Sequence, residues 1–224
     1  MPPKKSLPEI LQQLVDQNTE KVKLAITDID GVLRGKVMSF DKFRSVVEGG
    51  FGFCDVVFGW DAGDQAYDNV AITGWHSGYP DVKACVDVQT FRQIPWENDI
   101  PLFLADFRDA NPAASSVCPR SLLRNIKAKA SDAGYNCSFS QEFEWFNFIN
   151  NTEELYATKF STLKPMTQGM FGYSVLRASQ NSGYFHDLFD GMNKFGVPIE
   201  GLHTETGPGV YEAAIAYSEI LEAA

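Results

Sequence analysis

The sequence predicts an α+β protein in two parts: a small mixed sheet with flanking helices, then a second α/β layer. Three observations carry this expectation. Short apolar runs alternate with amphipathic helical stretches along the chain. The segment Arg108–Pro119 is polar and rich in Ala, Ser, Pro and Asn, and reads as a linker or domain edge. No internal repeat organises the 224 residues, a length sufficient for one large core or two small ones.

Residues 6–18 read as a helix, with Ser6 as N-cap, Pro8 in the first turn and Ile10, Leu11 and Leu14 as the apolar stripe. Two strands follow, Val22–Thr27 and Val32–Met38, around the turn Asp28-Ile29-Asp30-Gly31, which is a hairpin signal. A helix-like piece at 40–48 ends at Gly49-Gly50. Strands are expected at 53–58, 82–87 and 101–107, with 59–80 a long loop rich in Gly, Asp and aromatics. Pro119 starts a helix with Leu122, Leu123 and Ile126 on one face, stopped by Gly134. The alternation over 135–149 predicts one long strand whose aromatic run, Trp145 to Phe148, is core. A helix over about 174–195 and strands at 198–205 and 210–217 complete the second layer. Residues 218–224 look like the first turns of a helix without a stop signal, so the chain is expected to end inside an element.

Composition narrows the function. Nineteen Lys and Arg against 29 Asp and Glu give a net charge of −10. That balance argues against broad nucleic-acid or anionic-membrane binding, which needs clustered positive charge. No apolar run approaches the roughly 18–20 residues of a membrane span. The start, Met1-Pro2-Pro3-Lys4-Lys5, lacks the apolar stretch of a signal peptide, so a cytoplasmic protein is expected. Cys54, Cys85, Cys118 and Cys137 lie far apart and read as thiols rather than disulfides. The spacing of His76, His186 and His203 does not suggest a three-histidine zinc site, so any metal is expected on carboxylates.

Three motifs could carry chemistry. The first is Asp28-Ile29-Asp30-Gly31-Val32-Leu33 after an apolar strand, with Gly63-Asp64 and Asp68 downstream. It resembles the nucleophile and metal motifs of haloacid-dehalogenase-type phosphatases. That fold needs several βα units between those motifs, and the intervening chain is too short for them. A hairpin turn with acidic residues is the simpler reading. The second is Glu142-Phe143-Glu144. On a strand both carboxylates point to one face, where like charges repel unless a cation binds them. A solvent-facing strand with two ordinary glutamates is the alternative. The third is Glu205-Thr206-Gly207-Pro208-Gly209-Val210-Tyr211-Glu212. Two strands joined by a Gly-Pro-Gly bend can aim Glu205 and Glu212 at one point, and hard oxygen ligands suit Mg²⁺ or Mn²⁺. His203 shares the strand face of Glu205, either as a group supporting a ligand or as an unremarkable strand histidine.

Taken together, these residues resemble the glutamine synthetase family. In that family an E-x-E-F/W-F strand and two glutamates around a short Gly-rich bend bind two divalent cations. Glu142 to Phe146 matches the first element and Glu205 to Glu212 the second. Asp28 to Lys36 resembles the early family hairpin. Ile94-Pro95-Trp96, Ala105-Asp106-Phe107 and Pro119-Arg120 resemble the passage into the catalytic domain.

The resemblance implies a β-grasp-like domain over residues 1–110. Over residues 111–224 it implies a truncated glutamine-synthetase-type catalytic α/β domain. The implied activity is that of a glutamate–ammonia ligase with ATP as co-substrate and Mg²⁺ or Mn²⁺, acting through γ-glutamyl phosphate. Glu144, Glu205 and Glu212 would hold the ion nearer the amino acid, and Glu142 would contribute to the ion on the ATP side. Asp61, in the loop Trp60–Asp64, would help bind ammonium, or else it is a solvated loop aspartate. The full-length form is expected to be a homo-oligomer, a hexameric ring or stacked rings. Val210 stands where many members carry Gln, which leans toward another amine as acceptor or toward a non-catalytic relative in binding or assembly. Family chains are longer, so this piece is expected to be incomplete for catalysis by itself.

Overall fold

A computed structural model describes residues 4–108 and 112–224. Met1-Pro2-Pro3, the start of the segment searched for a signal peptide, and part of the Arg108–Pro119 linker lie outside the described residues. Among the described residues no helix is long and apolar enough to cross a membrane. The chain forms two compact units, Met1–Asn136 and Cys137–Ala224. None of the four cysteines is in a disulfide.

The first unit opens with α1 (Leu7–Asp16). The Ser6 amide and hydroxyl both donate to the Glu9 carboxylate, at 2.7 and 2.6 Å, which fixes the helix start. Ile10 and Leu14 are its buried face. Strands β1 (Lys21–Thr27) and β2 (Leu33–Ser39) form the expected antiparallel hairpin. Helix α2 (Phe40–Val46) follows, then β3 (Phe51–Cys54), β4 (Asp81–Ile94) and β5 (Ile100–Asp106). The sheet order is β2-β1-β5-β4-β3, with β1 and β5 parallel and the other pairs antiparallel. Phe43 from α2 stacks on Phe103 from β5 at 4.8 Å, in a core that includes Ile10, Leu24, Ile26 and Phe107.

The hairpin turn is held from inside. Asp28 is fully buried, and its Oδ1 accepts the amides of Asp30 and Val32, each at 2.9 Å. Its Oδ2 accepts Arg34 Nε at 2.8 Å. The same guanidinium reaches Asp64 Oδ1 at 2.5 Å and the Asp61 carbonyl at 3.2 Å, and it lies over the Trp60 ring. Asp28 and Asp64, which mimic a phosphatase site in the sequence, are thus the two anions of one arginine. This hub ties the hairpin to the 59–68 loop.

Several expectations are corrected in this unit. The strand expected at 53–58 stops at Cys54, and Asp55–Phe58 is a 3₁₀ turn. Asp55 is buried and takes the Thr73 hydroxyl at 2.6 Å, a bond that anchors the long loop rather than a ladder. β4 runs past the expected residue 87 to Ile94, with an irregular register between Asp87 and Arg92. Part of the linker is helical, as α3 (Pro112–Val117). In α4 (Pro119–Asp132) the expected apolar face is wrong: Leu122 and Ile126 are exposed, while Arg120 and Ser121 are buried. The helix docks through charge. Arg124 donates to Asp106 at 2.8 Å and to Asp87 at 3.0 Å, and Arg120 donates to Asp87 at 2.9 Å.

The second unit contains β6 (Ser138–Phe139), β7 (Glu142–Phe146), α5 (Thr152–Ala157), α6 (Val175–Gln180) and α7 (Ser182–Phe195). It ends with β8 (Ile199–Thr204), β9 (Val210–Ile215), β10 (Ser218–Glu219) and α8 (Ile220–Ala223). The long strand expected over 135–149 is two short ones. β6 pairs with β10, and the chain then steps across to pair β7 with β9. The step is fixed by Ser140 Oγ on the Ile215 carbonyl at 2.5 Å and by the Ile215 amide on the Gln141 carbonyl at 2.9 Å. The helix expected over 174–195 breaks at Asn181 into α6 and α7. The aromatic run is not core: Trp145 is half-buried, but Phe143, Phe146 and Phe148 are exposed.

Asp106 offers a test of the charge-docked helix. Burial alone would push its carboxyl up, but hydrogen bonds and charge from Arg108 and Arg124 hold it below the usual carboxylate value. A depressed folded value means that the stabilisation is present above the unfolded pKa and is lost as pH falls through the folded one. Asp106→Asn is expected to destabilise by about 3–5 kcal/mol at neutral pH. The gap to the parent chain should begin to narrow below about pH 4 and keep shrinking as pH falls toward the depressed folded value. Urea denaturation at pH 7 and pH 3 measures both, and a gap independent of pH refutes the ion-pair account.

Candidate metal centre

The centre is built on the sheet β7-β9-β8, antiparallel throughout. Its parity is set by aromatic packing. Tyr211 is fully buried, with Phe185 and Tyr184 of α7 at 4.8 and 5.6 Å and Trp145 at 6.5 Å between ring centres. Residues alternate along a strand, so fixing Tyr211 and Trp145 on the helix side sends Glu142, Glu144 and Glu212 to the other face. Directly opposed residues point the same way. Glu144 stands opposite Glu212, and Glu212 stands opposite His203, so one row across three strands reads Glu144, Glu212, His203. Glu142 lies in the next row, opposite Ala214.

The bend brings the fourth glutamate in. The Glu205 amide donates to the Val210 carbonyl at 2.9 Å, closing the Thr206–Gly209 turn. Asn147 holds the turn from below: its amide and side-chain nitrogen donate to the Gly209 carbonyl at 2.8 and 3.0 Å. Trp145 Nε1 and the Tyr184 hydroxyl in turn donate to Asn147 Oδ1, at 3.1 and 2.7 Å. Gly209 has a φ of +73°, and a Cβ there would lie 2.5 Å from the Asn147 carbonyl oxygen. Only glycine satisfies both constraints.

Three groups converge as a result. His203, Glu205 and Glu212 each offer a ligand atom within 4.8 Å of the others. His203 Nδ1 is 3.7 Å from Glu205 Oε2, and His203 Nε2 is 3.6 Å from Glu212 Oε1. Glu205 Oε1 accepts the Thr206 hydroxyl at 2.8 Å, but its Oε2 is buried with no hydrogen-bond partner. The Thr206 hydroxyl and backbone hydrogen bonds lower the Glu205 carboxyl below its ordinary value against the opposing effect of burial. It is therefore anionic at neutral pH. A buried, ionised oxygen without a donor keeps acceptor capacity that a cation could satisfy.

Among the glutamates predicted from sequence, Glu205 and Glu212 are in this cluster. Glu144 is beside it in the same row, and Glu142 is exposed one row away. Asp61 belongs to the first unit. Its Oδ1 accepts the amides of Gly63 and Gln65 at 2.8 and 2.9 Å, so it shapes its own loop. His203 sits between the two glutamates, a position that its H-x-E spacing allowed but did not establish. Asn147 carried no sequence signal, because its role depends on a turn 62 residues away.

Residues 116–224 match the family model described as the glutamine synthetase catalytic domain. Over 215 residues the chain is 51% identical to type-1 glutamine synthetase 2 of Dictyostelium discoideum, covering 96% of this chain and 41% of that protein. The chain belongs to the glutamine synthetase family. It is also 31% identical to a glutamate–isopropylamine ligase from a Pseudomonas species, over 99% of this chain and 48% of that protein. The solved structure described as apo GmaS without ligand superposes with a TM-score of 0.70 at 18% identity, covering 95% of this chain and 46% of the other. At that identity the likeness concerns the fold. The chain thus spans about half the length of the curated relatives it matches. The family implies the use of ATP and a divalent metal.

Gly209→Ala is expected to cost about 2 kcal/mol or more, from the left-handed φ and the overlap with the Asn147 carbonyl together. Urea denaturation measures it, and a variant as stable as the parent would show that the turn tolerates a side chain.

Proposed function

We propose that this chain carries the metal-binding strands of an ATP-dependent carbon–nitrogen ligase that joins glutamate to ammonia or another small amine. The observation that supports this most is the buried, unpartnered Glu205 Oε2 beside Glu212 and His203. The donor set fits the ion: carboxylate oxygens suit Mg²⁺ and Mn²⁺. Glu144, Glu205 and Glu212 would hold the ion nearer the amino acid, and Glu142 would contribute on the ATP side. Bound there, the ion would offset the charge of the substrate carboxylate and of the phosphoryl group being transferred.

In this reading the glutamate γ-carboxylate oxygen attacks the γ-phosphorus of ATP and ADP leaves. The amine nitrogen then displaces phosphate from γ-glutamyl phosphate, forming the amide and releasing a proton. The Thr206–Gly209 turn keeps Glu205 fixed during both steps, because its backbone is already bonded to Asn147. Asp61 would bind the ammonium or amine in a neighbouring subunit's site, from a loop whose backbone is set by Arg34. The first sheet is read as a β-grasp domain over residues 1–110, with 111–224 belonging to the catalytic domain. A cytoplasmic homo-oligomer, a hexameric ring or stacked rings, completes the reading. Relatives described as a glutamate–isopropylamine ligase and a γ-glutamylethanolamide synthetase leave the acceptor open between ammonia and a small primary amine.

Calorimetry with Mn²⁺ tests the centre. The folded chain is expected to bind the ion, and Glu212→Ala to weaken binding by about tenfold or more. A folded chain that takes up no Mn²⁺ would overturn the reading.

A further inference from the structure

The first unit contains a cleft that the proposed reaction does not use. It lies between the turn leaving α1 and the turn joining β4 to β5. We propose that this cleft binds a small organic cation of the alkylammonium class. It shares no residue with the glutamate cluster, so the proposal stands apart from the ligase reading.

The cleft measures about 790 Å³, within the size range of small-molecule sites. Its walls are set by the chain's own bonds. Gln93 of β4 uses both ends of its side-chain amide. Its Oε1 accepts Gln13 Nε2 at 3.0 Å, and its Nε2 donates to Gln17 Oε1 at 3.0 Å and to the Asp99 carbonyl at 3.2 Å. One side chain thereby ties the end of the helix to the hairpin. Each turn is also closed by its backbone: the Thr19 amide donates to the Leu14 carbonyl and the Asp99 amide to the Ile94 carbonyl, both at 3.0 Å. Closure requires left-handed residues, and Asn18, Asn98 and Asp99 take φ of +51°, +52° and +54°. Asn and Asp enter that region more readily than other side chains.

Charge selects the ligand's sign. The lining holds three carboxylates, Glu20, Glu97 and Asp99, against one ammonium, Lys21. Lys23 ion-pairs with Glu97. Two ammonium groups thus answer three carboxylates and leave one negative charge over, which favours a cation and repels an anion. Trp96, on the 3₁₀ turn Pro95–Glu97, stands 59% exposed in the lining. Tryptophan is the best aromatic partner for a cation placed over its face.

The other lining groups separate an organic cation from a metal ion. A metal needs several donors converging on one point. Among the described residues the cluster of three that meets this requirement is His203, Glu205 and Glu212, in the second unit. The cleft instead spreads its carboxylates around an indole, the apolar Ile100 and Pro101, and the side-chain amides of Gln17 and Asn98. Such a surface suits a cation with methyl or methylene groups and a polar end.

Choline is the probe, because its quaternary nitrogen carries no hydrogen and cannot serve as the amine in amide formation. Titrated into the ¹⁵N-labelled full chain, it is expected to shift the Trp96 indole signal and the Gln17 and Asn98 side-chain amide signals saturably. Acetate should shift none of them. Trp96→Ala should weaken choline about fivefold, and Trp96→Phe, which keeps an aromatic face, less. Asp99→Asn keeps a residue suited to the left-handed φ and removes only charge; it should weaken binding about threefold. Added salt should weaken it as well. Circular dichroism checks that the variants fold. Choline that leaves these three residues unshifted, acetate that binds as well as choline, or unchanged affinity in folded Trp96→Ala or Asp99→Asn each overturns the proposal. None of these outcomes touches the metal centre.

Discussion

Burial of Tyr211 against α7 is the constraint on which the second unit depends. A strand has only two faces, and a single residue of slip would exchange them. With Tyr211 and Trp145 committed to the aromatic side, the glutamates of β7 and β9 have one face left to occupy. The register then aligns Glu144, Glu212 and His203 in one row. Apolar packing on one side of the sheet therefore imposes an electrostatic cost on the other, since like charges directly opposed across strands destabilise a sheet.

The loop that carries Asp61 is governed by a different interaction. Arg34 bridges the hairpin turn and the loop by meeting Asp28, Asp64 and the Asp61 carbonyl at once. This planar, five-donor group can satisfy several acceptors in fixed directions, which a lysine cannot. The phosphatase-like text of the sequence thus has a structural meaning. Asp28 is spaced to close a turn, and Asp64 to receive the same arginine, so neither is free to attack a substrate.

Much of the architecture was legible because it is written locally. The N-cap at Ser6, the Asp28–Gly31 turn and the apolar runs of β1, β8 and β9 all act over a few residues. The convergence of Glu205 and Glu212 was legible for the same reason, through the Gly-Pro-Gly bend. The losses came where a distant partner decides. The period-2 pattern over 135–149 is real, but the chain changes partners from β10 to β9 within it, and no local signal marks that step. In α4, Leu122, Leu123 and Ile126 mimic a core face. The buried side is the one where Arg120 and Arg124 find Asp87 and Asp106, on β4 and β5. His203 was undecided because its neighbours Glu212 and Tyr173 lie in other elements.

The acidic surplus of the chain divides into two kinds of carboxylate that composition cannot tell apart. Asp28, Asp87 and Asp106 of the first unit each accept an arginine within 3.0 Å. They are anions whose charge is answered inside the fold, and burial there strengthens the pair. Glu144, Glu205 and Glu212 of the second unit pair with no arginine or lysine among the described residues, and Glu205 and Glu212 face an imidazole. Fixed carboxylates that could have been neutralised by a nearby arginine, as the first unit repeatedly does, are instead left with unmet acceptor capacity and a buried oxygen. A fold that satisfies its structural acids and leaves Glu205 and Glu212 beside one another has kept uncompensated negative charge in place. An ion bound there would contribute its binding energy to the folded state, because the unfolded chain cannot assemble the same donors.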